Sequence, residues 1–307
     1  MRSLAVVVEP RDAERVRRIL KERGILRRDL RTLRKGDKVL FPVAYPLEGF
    51  EVVEEDFPPV RRVPAFRLPF DLVGDIAILR HPGVGEDLLR EEAERILEGI
   101  QRVRLVLLDE GVRGEMRLHT LRVLAGRGPP RTVHRENGIK LYLELDKVYF
   151  SPRLSYERGR VASQVSPGER VFDMFAGAGP FSVLLAKKGA IVFSCDINPH
   201  AARLILKNAE LNGVADRVSV FNMDAASAAG LLDPVDRIIM NLPTASIRFL
   251  KHTEEVLKKG GILHLYTIEG RRKRIPFPEC FAILQRRVVH SYSPGKDVVV
   301  YDLKKLK

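Results

Sequence analysis

The chain has no tryptophan, two cysteines in 307 residues, and no apolar run long enough to cross a bilayer. Cys195 and Cys280 cannot build a disulfide framework or a cysteine metal cluster, and no metal cage is evident elsewhere. No signal peptide is recognisable, so a cytoplasmic protein is expected. Internal repeats and low-complexity segments are also missing, which excludes repeat architectures. Acid is in short supply relative to base. Lys and Arg number 53 against 40 Asp and Glu, a net charge of +13. Such a balance points to a polyanionic partner. The length suffices for two or three domains with a sizeable core. A charged fraction of 30% with so little cysteine also suits a thermophile.

The base is unevenly spread. Met1 to Leu40 carries 13 Lys or Arg and 6 Asp or Glu, over half of the net charge in about an eighth of the chain. Leu4 to Val8 reads as a strand, and Asp12 to Arg23 as an amphipathic helix with Ala13, Val16, Ile19 and Leu20 on one face. Lys38 to Val43 is a second strand. A solvated basic helix face would explain the charge equally; its concentration favours phosphate contact. Pro46, Pro58, Pro59, Pro64 and the acidic run Glu51 to Asp56 are expected to interrupt regular structure, placing a boundary near residue 60.

Residues 61–150 read as an α+β unit. Val73 to Leu79 is expected as one strand, His81-Pro82-Gly83 as a turn and Asp87 to Ile100 as a helix. Arg104 to Leu108, Arg117 to Leu124 and the alternating Ile139 to Leu145 are further strands. Ser151-Pro152 then starts a helix expected to run to Val165.

From Val171 the pattern changes. V-F-D-M-F-A-G-A-G-P-F gives a buried strand ending at Asp173, a turn at Gly177 and Gly179, and a helix opened by Pro180. Nucleotide-like ligands are held by this arrangement at the carboxyl edge of a parallel sheet. The turn alone could be a plain strand-to-helix connection. Three further strands follow: Ala190 to Cys195, Arg217 to Asn222 and Val235 to Met240. Their ends carry Asp196, Asp224 and Asn241, in register with Asp173. Strand–helix alternation with short turns means an α/β fold with a doubly wound, mostly parallel sheet. Ser246 to Lys259 is expected as a helix ended by Gly260-Gly261, and Ile262 to Thr267 as a fifth strand. Arg286 to Tyr292 and Val298 to Leu303 flank a Ser-Pro-Gly-Lys turn as a closing antiparallel pair. The cluster Arg271 to Arg274 could meet RNA backbone or be a solvated loop.

D-M-F-A-G-A-G-P-F, D-I-N-P, N-A-E-L-N and M-N-L-P together resemble the class I (Rossmann-like) S-adenosylmethionine-dependent methyltransferases. More narrowly they resemble the archaeal and eukaryotic type of tRNA (guanine-37 N1)-methyltransferase. V-Y-F-S-P-R-L-S-Y-E-R from Val148 and R-E-N-G from Arg135 match that family too. The resemblance implies three segments: 1–60, a small basic tRNA-contacting domain with linker; 61–150, an RNA-binding or inter-domain unit; and 151–307, the methyltransferase domain. It implies S-adenosylmethionine as cofactor and tRNA, at its anticodon loop and outer corner, as partner. No membrane, no obligate protein partner and a monomer are expected.

Methylating guanine at N1 needs a base for the N1 proton and a cation for the charge that builds on O6. The pairing edge must also be freed. By motif, the resemblance puts the general base at Glu157, the O6-stabilising cation at Arg117, and a guanine-orienting amide at Asn241 beside Pro243. The cofactor would lie against Tyr149, Asp173, Phe175, Gly177, Gly179, Asp196, Ile197, Asp224, Asn241 and Leu242. On residues alone, Glu157-Arg158 could be an exposed helical pair, Arg117 a strand-end cap, and Tyr149 and Phe175 core aromatics. Two other functions stay open: transfer of the cofactor's aminocarboxypropyl group to a modified guanine, and a non-catalytic RNA-binding factor on the same scaffold. Met240 to Pro243 favours methyl transfer.

Overall fold

The computed structural model describes residues 1–59, 66–80, 83–114, 116, 118–270 and 275–307. The expected turn at His81-Pro82, Arg117 and the cluster Arg271 to Arg274 lie outside these residues. The chain forms two compact units, Met1–Ala65 and Phe66–Lys307.

The first unit has β1 (Arg2–Val8), α1 (Ala13–Glu22), β2 (Leu33–Lys35), β3 (Lys38–Val43) and β4 (Glu51–Asp56). They form an antiparallel sheet in the order β2-β3-β1-β4. The apolar stripe of α1 buries Val16 and Leu20 with Val6, Val8, Phe41 and Val43, leaving Arg15, Arg17, Arg18 and Lys21 exposed. The acidic run corrects the sequence reading. Glu51–Asp56 is not a linker but an edge strand, paired from Arg2↔Asp56 to Val7↔Glu51. An edge strand tolerates charge because one margin faces water. Here the acids also meet bases of their own sheet: Arg2–Glu54 at 2.9 Å and Lys38–Glu51 at 3.0 Å.

The second unit opens with a four-stranded sheet. β5 (Phe70–Val73) and β6 (Ile76–Leu79) form a hairpin where one strand was expected. The turn is at Gly74, whose φ of +59° and closeness to Thr132 (2.0 Å from an added Cβ) admit only glycine. Helix α2 (Glu86–Gly99) crosses to β7 (Leu105–Arg113), parallel to β6, and β8 (Leu118–Gly126) pairs antiparallel with β7. A second hairpin joins β9 (Arg131–Glu136), missed in the sequence, to β10 (Ile139–Glu144).

Helix α3 (Ser155–Ala162), after a 3-10 turn at Pro152–Leu154, is shorter than expected. The large sheet follows: β11 (Arg170–Asp173), α4 (Pro180–Lys187), β12 (Ile191–Cys195), α5 (Pro199–Leu211), β13 (Val218–Phe221), α6 (Ala225–Ala229), β14 (Val235–Met240), α7 (Leu250–Val256), β15 (Leu257–Gly270), β16 (Phe281–Ser293) and β17 (Lys296–Lys305). Its order is β13-β12-β11-β14-β15-β17-β16, with the first five strands parallel and the last two antiparallel. Val171, Val192 and Ile239 face a core shared with α4 and α5, while Phe172, Ile238 and Leu263 face the one shared with α6 and α7. The doubly wound expectation is therefore met. The helix expected from Ser246 to Lys259 ends early, at Val256. Leu257 to Gly261 instead enters β15, with an irregularity between Val235 and Arg237 of β14 absorbing the glycine pair.

The N-A-E-L-N motif acquires a reason here. Asn208 and Asn212 turn their amides onto the free edge of β10. Tyr142 N donates to Asn208 Oδ1 at 2.7 Å, and Lys140 N to Asn212 Oδ1 at 2.9 Å. The amide nitrogens return bonds to the Tyr142 and Lys140 carbonyls. Backbone groups that would otherwise lie unpaired are satisfied, and the hairpin is stapled to α5.

Candidate active site

A cavity opens at the carboxyl ends of β11, β12, β13 and β14. Tyr149, Phe175, Gly177, Asp196, Ile197, Asp224, Asn241, Leu242 and Pro243 all line it. Of the residues expected at the cofactor, only Asp173 and Gly179 stand behind the wall.

The glycine turn sets the geometry. Gly177 and Gly179 have φ of +55° and +79°, conformations that side chains resist. A Cβ on Gly179 would also stand 3.2 Å from Ile205, so the turn can lie flat on α5 only with glycine there. The turn is tied to the neighbouring strand: Gly177 N donates to Asp196 Oδ2 at 2.7 Å, and Asn198 N to Asp196 Oδ1 at 2.9 Å. Asn198 caps α5 through His200 N and reaches the Lys147 carbonyl, while Asn222 donates to the carbonyls of Asp196 and Ile197. Asp196 is thus aimed by backbone donors. Burial raises its pKa nonetheless. Asp224 caps α6 with Oδ1 alone, accepting from Ala226 N and Ser227 N.

Asp173, 1% exposed, accepts from Ser182 Oγ at 2.7 Å through Oδ2, and its Oδ1 has no partner. Burial, helped by the Asp196 charge, pushes its pKa up to about 7. The rim at Asn241 is pinned by Ser246, whose hydroxyl accepts from Leu242 N and lies 3.1 Å from the Met240 carbonyl and 2.8 Å from that of Leu242. Phe175 meets Phe249 edge to face at 5.0 Å.

The other wall comes from α3 and the smaller sheet. Leu154, closing the 3-10 turn, and Arg158 of α3 line the cavity. Sequence reasoning missed Arg158 as a wall residue. It is 1% exposed and bound bidentately by Glu136, at 2.5 and 2.7 Å, with a third bond to the Ser151 carbonyl. Asn137, at φ +45°, holds Ser155. The R-E-N-G signature is therefore a clamp on α3, and that match was the available signal. Met116, His290 and Tyr292 also line the cavity unannounced. Tyr149 stacks on His119 with ring centroids 5.0 Å apart, and His119 Nδ1 lies 3.0 Å from Asp109.

Glu157 is 2% exposed, which overturns the exposed-pair reading, but it does not line the cavity. Its Oε2 accepts from Arg160 Nε at 2.8 Å; Oε1 lies 3.3 Å from Arg287 Nε without a hydrogen bond. Arg160 continues to Asp302 at 2.5 Å, Asp302 to His264 Nδ1 at 2.6 Å, His264 Nε2 to Arg237 at 2.6 Å, and Arg237 to Glu169 at 2.6 Å. The guanidinium can only donate, so Nε2 accepts and His264 is neutral with its proton on Nδ1. Burial first, then the neighbouring cations, keep its pKa low despite Asp302. Burial opposes ionisation of Asp302, yet His264 and Arg160 outweigh it and hold the carboxyl at about 2. The same burial, with the charge of Glu157, drives the Tyr266 phenol upward.

A parallel sheet in this order, with a glycine turn and carboxylates at consecutive strand ends, defines a class I methyltransferase fold. The chain belongs to the TRM5/TYW2 methyltransferase family, whose domain model matches residues 132–302, and the tRNA methyltransferase 5 N-terminal domain matches residues 5–51. It is 38% identical to tRNA (guanine(37)-N(1))-methyltransferase Trm5b of Pyrococcus abyssi over 98% of this chain and 99% of that protein. A solved complex of aTrm5 and tRNALeu superposes with a TM-score of 0.74 at 31% identity, covering 98% of this chain and 99% of that one. The tRNA(Phe) (4-demethylwyosine(37)-C(7)) aminocarboxypropyltransferase of Pyrococcus horikoshii is 32% identical over 81% of this chain and 97% of its own length.

Proposed function

We propose that this protein transfers a methyl group from S-adenosylmethionine to N1 of the guanine 3′ of the anticodon in tRNA. The observation that carries it is the joining, in one cavity, of the glycine turn and acids of a nucleoside site with the Asn241-Leu242-Pro243 rim. The residues present fit the cofactor. Asp196 keeps a lone pair on each oxygen for ribose hydroxyls and Asp224 Oδ2 is outside its cap, while Asp173 stands behind the wall. Tyr149, Phe175, Ile197 and Leu242 supply apolar wall. S-adenosylmethionine supplies the methyl group when bound. Gly179 contributes by shaping the turn.

Asn241 orients the guanine and Pro243 closes its pocket. Glu157, which stands outside the cavity lining, takes the N1 proton through Oε1, the carboxylate atom left without a hydrogen bond, once RNA binding brings the two together. Arg117 stabilises O6; in sequence it stands beside Met116, a cavity residue, and two positions before His119, which backs Tyr149. The basic residues of α1 contact tRNA phosphates. Segments 1–60, 61–150 and 151–307 divide the labour as tRNA contact, site wall and chemistry. The protein works as a monomer in the cytoplasm. No helix among the described residues is long and apolar enough to cross a membrane. The N-terminal match at residues 5–51 favours the methylating branch over the aminocarboxypropyl branch.

The test is transfer of labelled methyl from S-adenosylmethionine to two unmodified transcripts, one with G37 and one with A37. Label on the first alone, mapped to N1, is the expected result. Label on neither, with cofactor bound, would sink this proposal and point to a pre-modified guanine.

A further inference from the structure

The cavity does not end at its Asn241 rim. Pro243, Thr244 and Tyr292 belong both to it and to a second groove, which runs on past Ile247 to Arg248 and Lys296. Tyr292 is 50% exposed and Ile247 39%, an apolar floor open to solvent. Arg248 and Lys296 are exposed, and among the described residues no hydrogen bond or ion pair engages their side chains. Most other basic groups near the active site are spoken for: Arg158 by Glu136, Arg160 by Asp302, Arg286 by Glu269. A groove with an open aromatic face and two uncommitted cations is chemically matched to one nucleotide, which offers a π-face and a phosphate.

From this we infer that the groove is a second RNA subsite holding one nucleotide that flanks the target guanine. Its base stacks on Tyr292 and its phosphate lies between Arg248 and Lys296. The inference rests on the RNA substrate proposed above. It follows from chain continuity: a guanine that enters the cavity over Pro243 and Thr244 brings its covalent neighbour to the same rim, and the groove begins there. Stacking gives sequence-tolerant affinity, since every base has a π-face.

The experiment measures Kd for a G37 transcript by filter binding, across a range of salt, for wild type, Arg248→Gln/Lys296→Gln and Tyr292→Ala. Unlike a turnover assay, binding reports on the subsite even if methyl transfer fails. The double variant is expected to bind about tenfold more weakly, and the slope of log K against log[salt] to flatten by about 0.7, one single-strand phosphate's worth. Tyr292→Ala should weaken binding about tenfold on the intact transcript. That penalty should vanish on a transcript made abasic at position 36 or at 38, whichever nucleotide occupies the groove. Unaltered affinity and salt slope in the double variant would overturn the inference. So would a Tyr292→Ala penalty equal on all three transcripts, because Tyr292 would then serve the cavity alone. Isothermal titration with S-adenosylhomocysteine confirms that each variant keeps its fold.

Discussion

The two walls of the cavity are built on different principles. On the glycine-turn side, Asp196 is aimed by backbone N–H groups of Gly177 and Asn198, and Leu242 by the Ser246 hydroxyl. Behind the α3 side, Glu157 is aimed by a relay of side chains, charged but for the neutral His264, reaching Arg160, Asp302, His264, Arg237 and Glu169. A backbone-built wall is local and tolerant of salt. A wall built of buried ions depends on every member, because removing one leaves its neighbour charged and unpaired. A site of this design fixes its ligand cheaply and holds its proposed base at higher cost.

The comparison can be broken most sharply at Glu157. Glu157→Gln keeps the shape and removes the base, so turnover on a G37 transcript should fall about 10²–10⁴-fold while both ligands still bind. Single-turnover methylation with separate binding titrations checks this, and undiminished turnover removes Glu157 as the base. Next in size is Asp302→Leu, which strands Arg160 and His264 and should cost about 3–5 kcal/mol in urea unfolding. Asp302 is also the acid-sensitive member. Its carboxyl is held at about 2 in the fold, below the 3.8 of an unperturbed group. Its stabilisation is therefore complete above pH 4 and lost as pH falls towards 2.

Asp173 sharpens the contrast with the opposite sign. Its folded pKa of about 7 lies above the ordinary 3.8, so the folded state keeps a proton that the unfolded chain releases. Stability should fall as pH rises between these values and level off above about 7. Asp173→Asn should flatten that slope, for a relative gain on the order of 2–4 kcal/mol at pH 8 over pH 4 in paired denaturation curves. An unchanged slope would mean that Asp173 ionises freely in the fold. The smallest effect is expected at Asp224→Asn. The cap of α6 survives, so stability should change by less than about 0.5 kcal/mol. Affinity for S-adenosylhomocysteine should fall only several-fold, which calorimetry can read.

The same contrast explains what could be read in advance. The glycine-turn wall lies within short stretches, each with its own local signature: Asp173 to Pro180, Asp196 to Pro199, and Met240 to Pro243. Strand, turn and cap chemistry are near-neighbour effects, so the sheet and many of the cavity-lining residues were legible. The ion relay joins positions 157 and 160, one helical turn apart, to 169, 237, 264 and 302, which no periodicity links. Only the folded sheet brings them together. Arg158 shows the same limit, since its partner Glu136 lies 22 residues away in another hairpin. Local propensity also misled where tertiary pairing overrode it. Val73–Leu79 looked continuous because the turn at Gly74 is only two residues long. Leu257 to Gly261 looked like a helix end because two glycines can sit in an irregular strand start as readily as in a cap.

The acidic strand β4 has a consequence outside catalysis. It is an outer strand of its sheet, with Glu51, Glu54 and Asp56 exposed along it. A row of carboxylates there makes a poor template for another copy's strand, since two such edges would repel at neutral pH. A concentrated solution of this strongly basic protein is thereby protected from edge-to-edge polymerisation at β4.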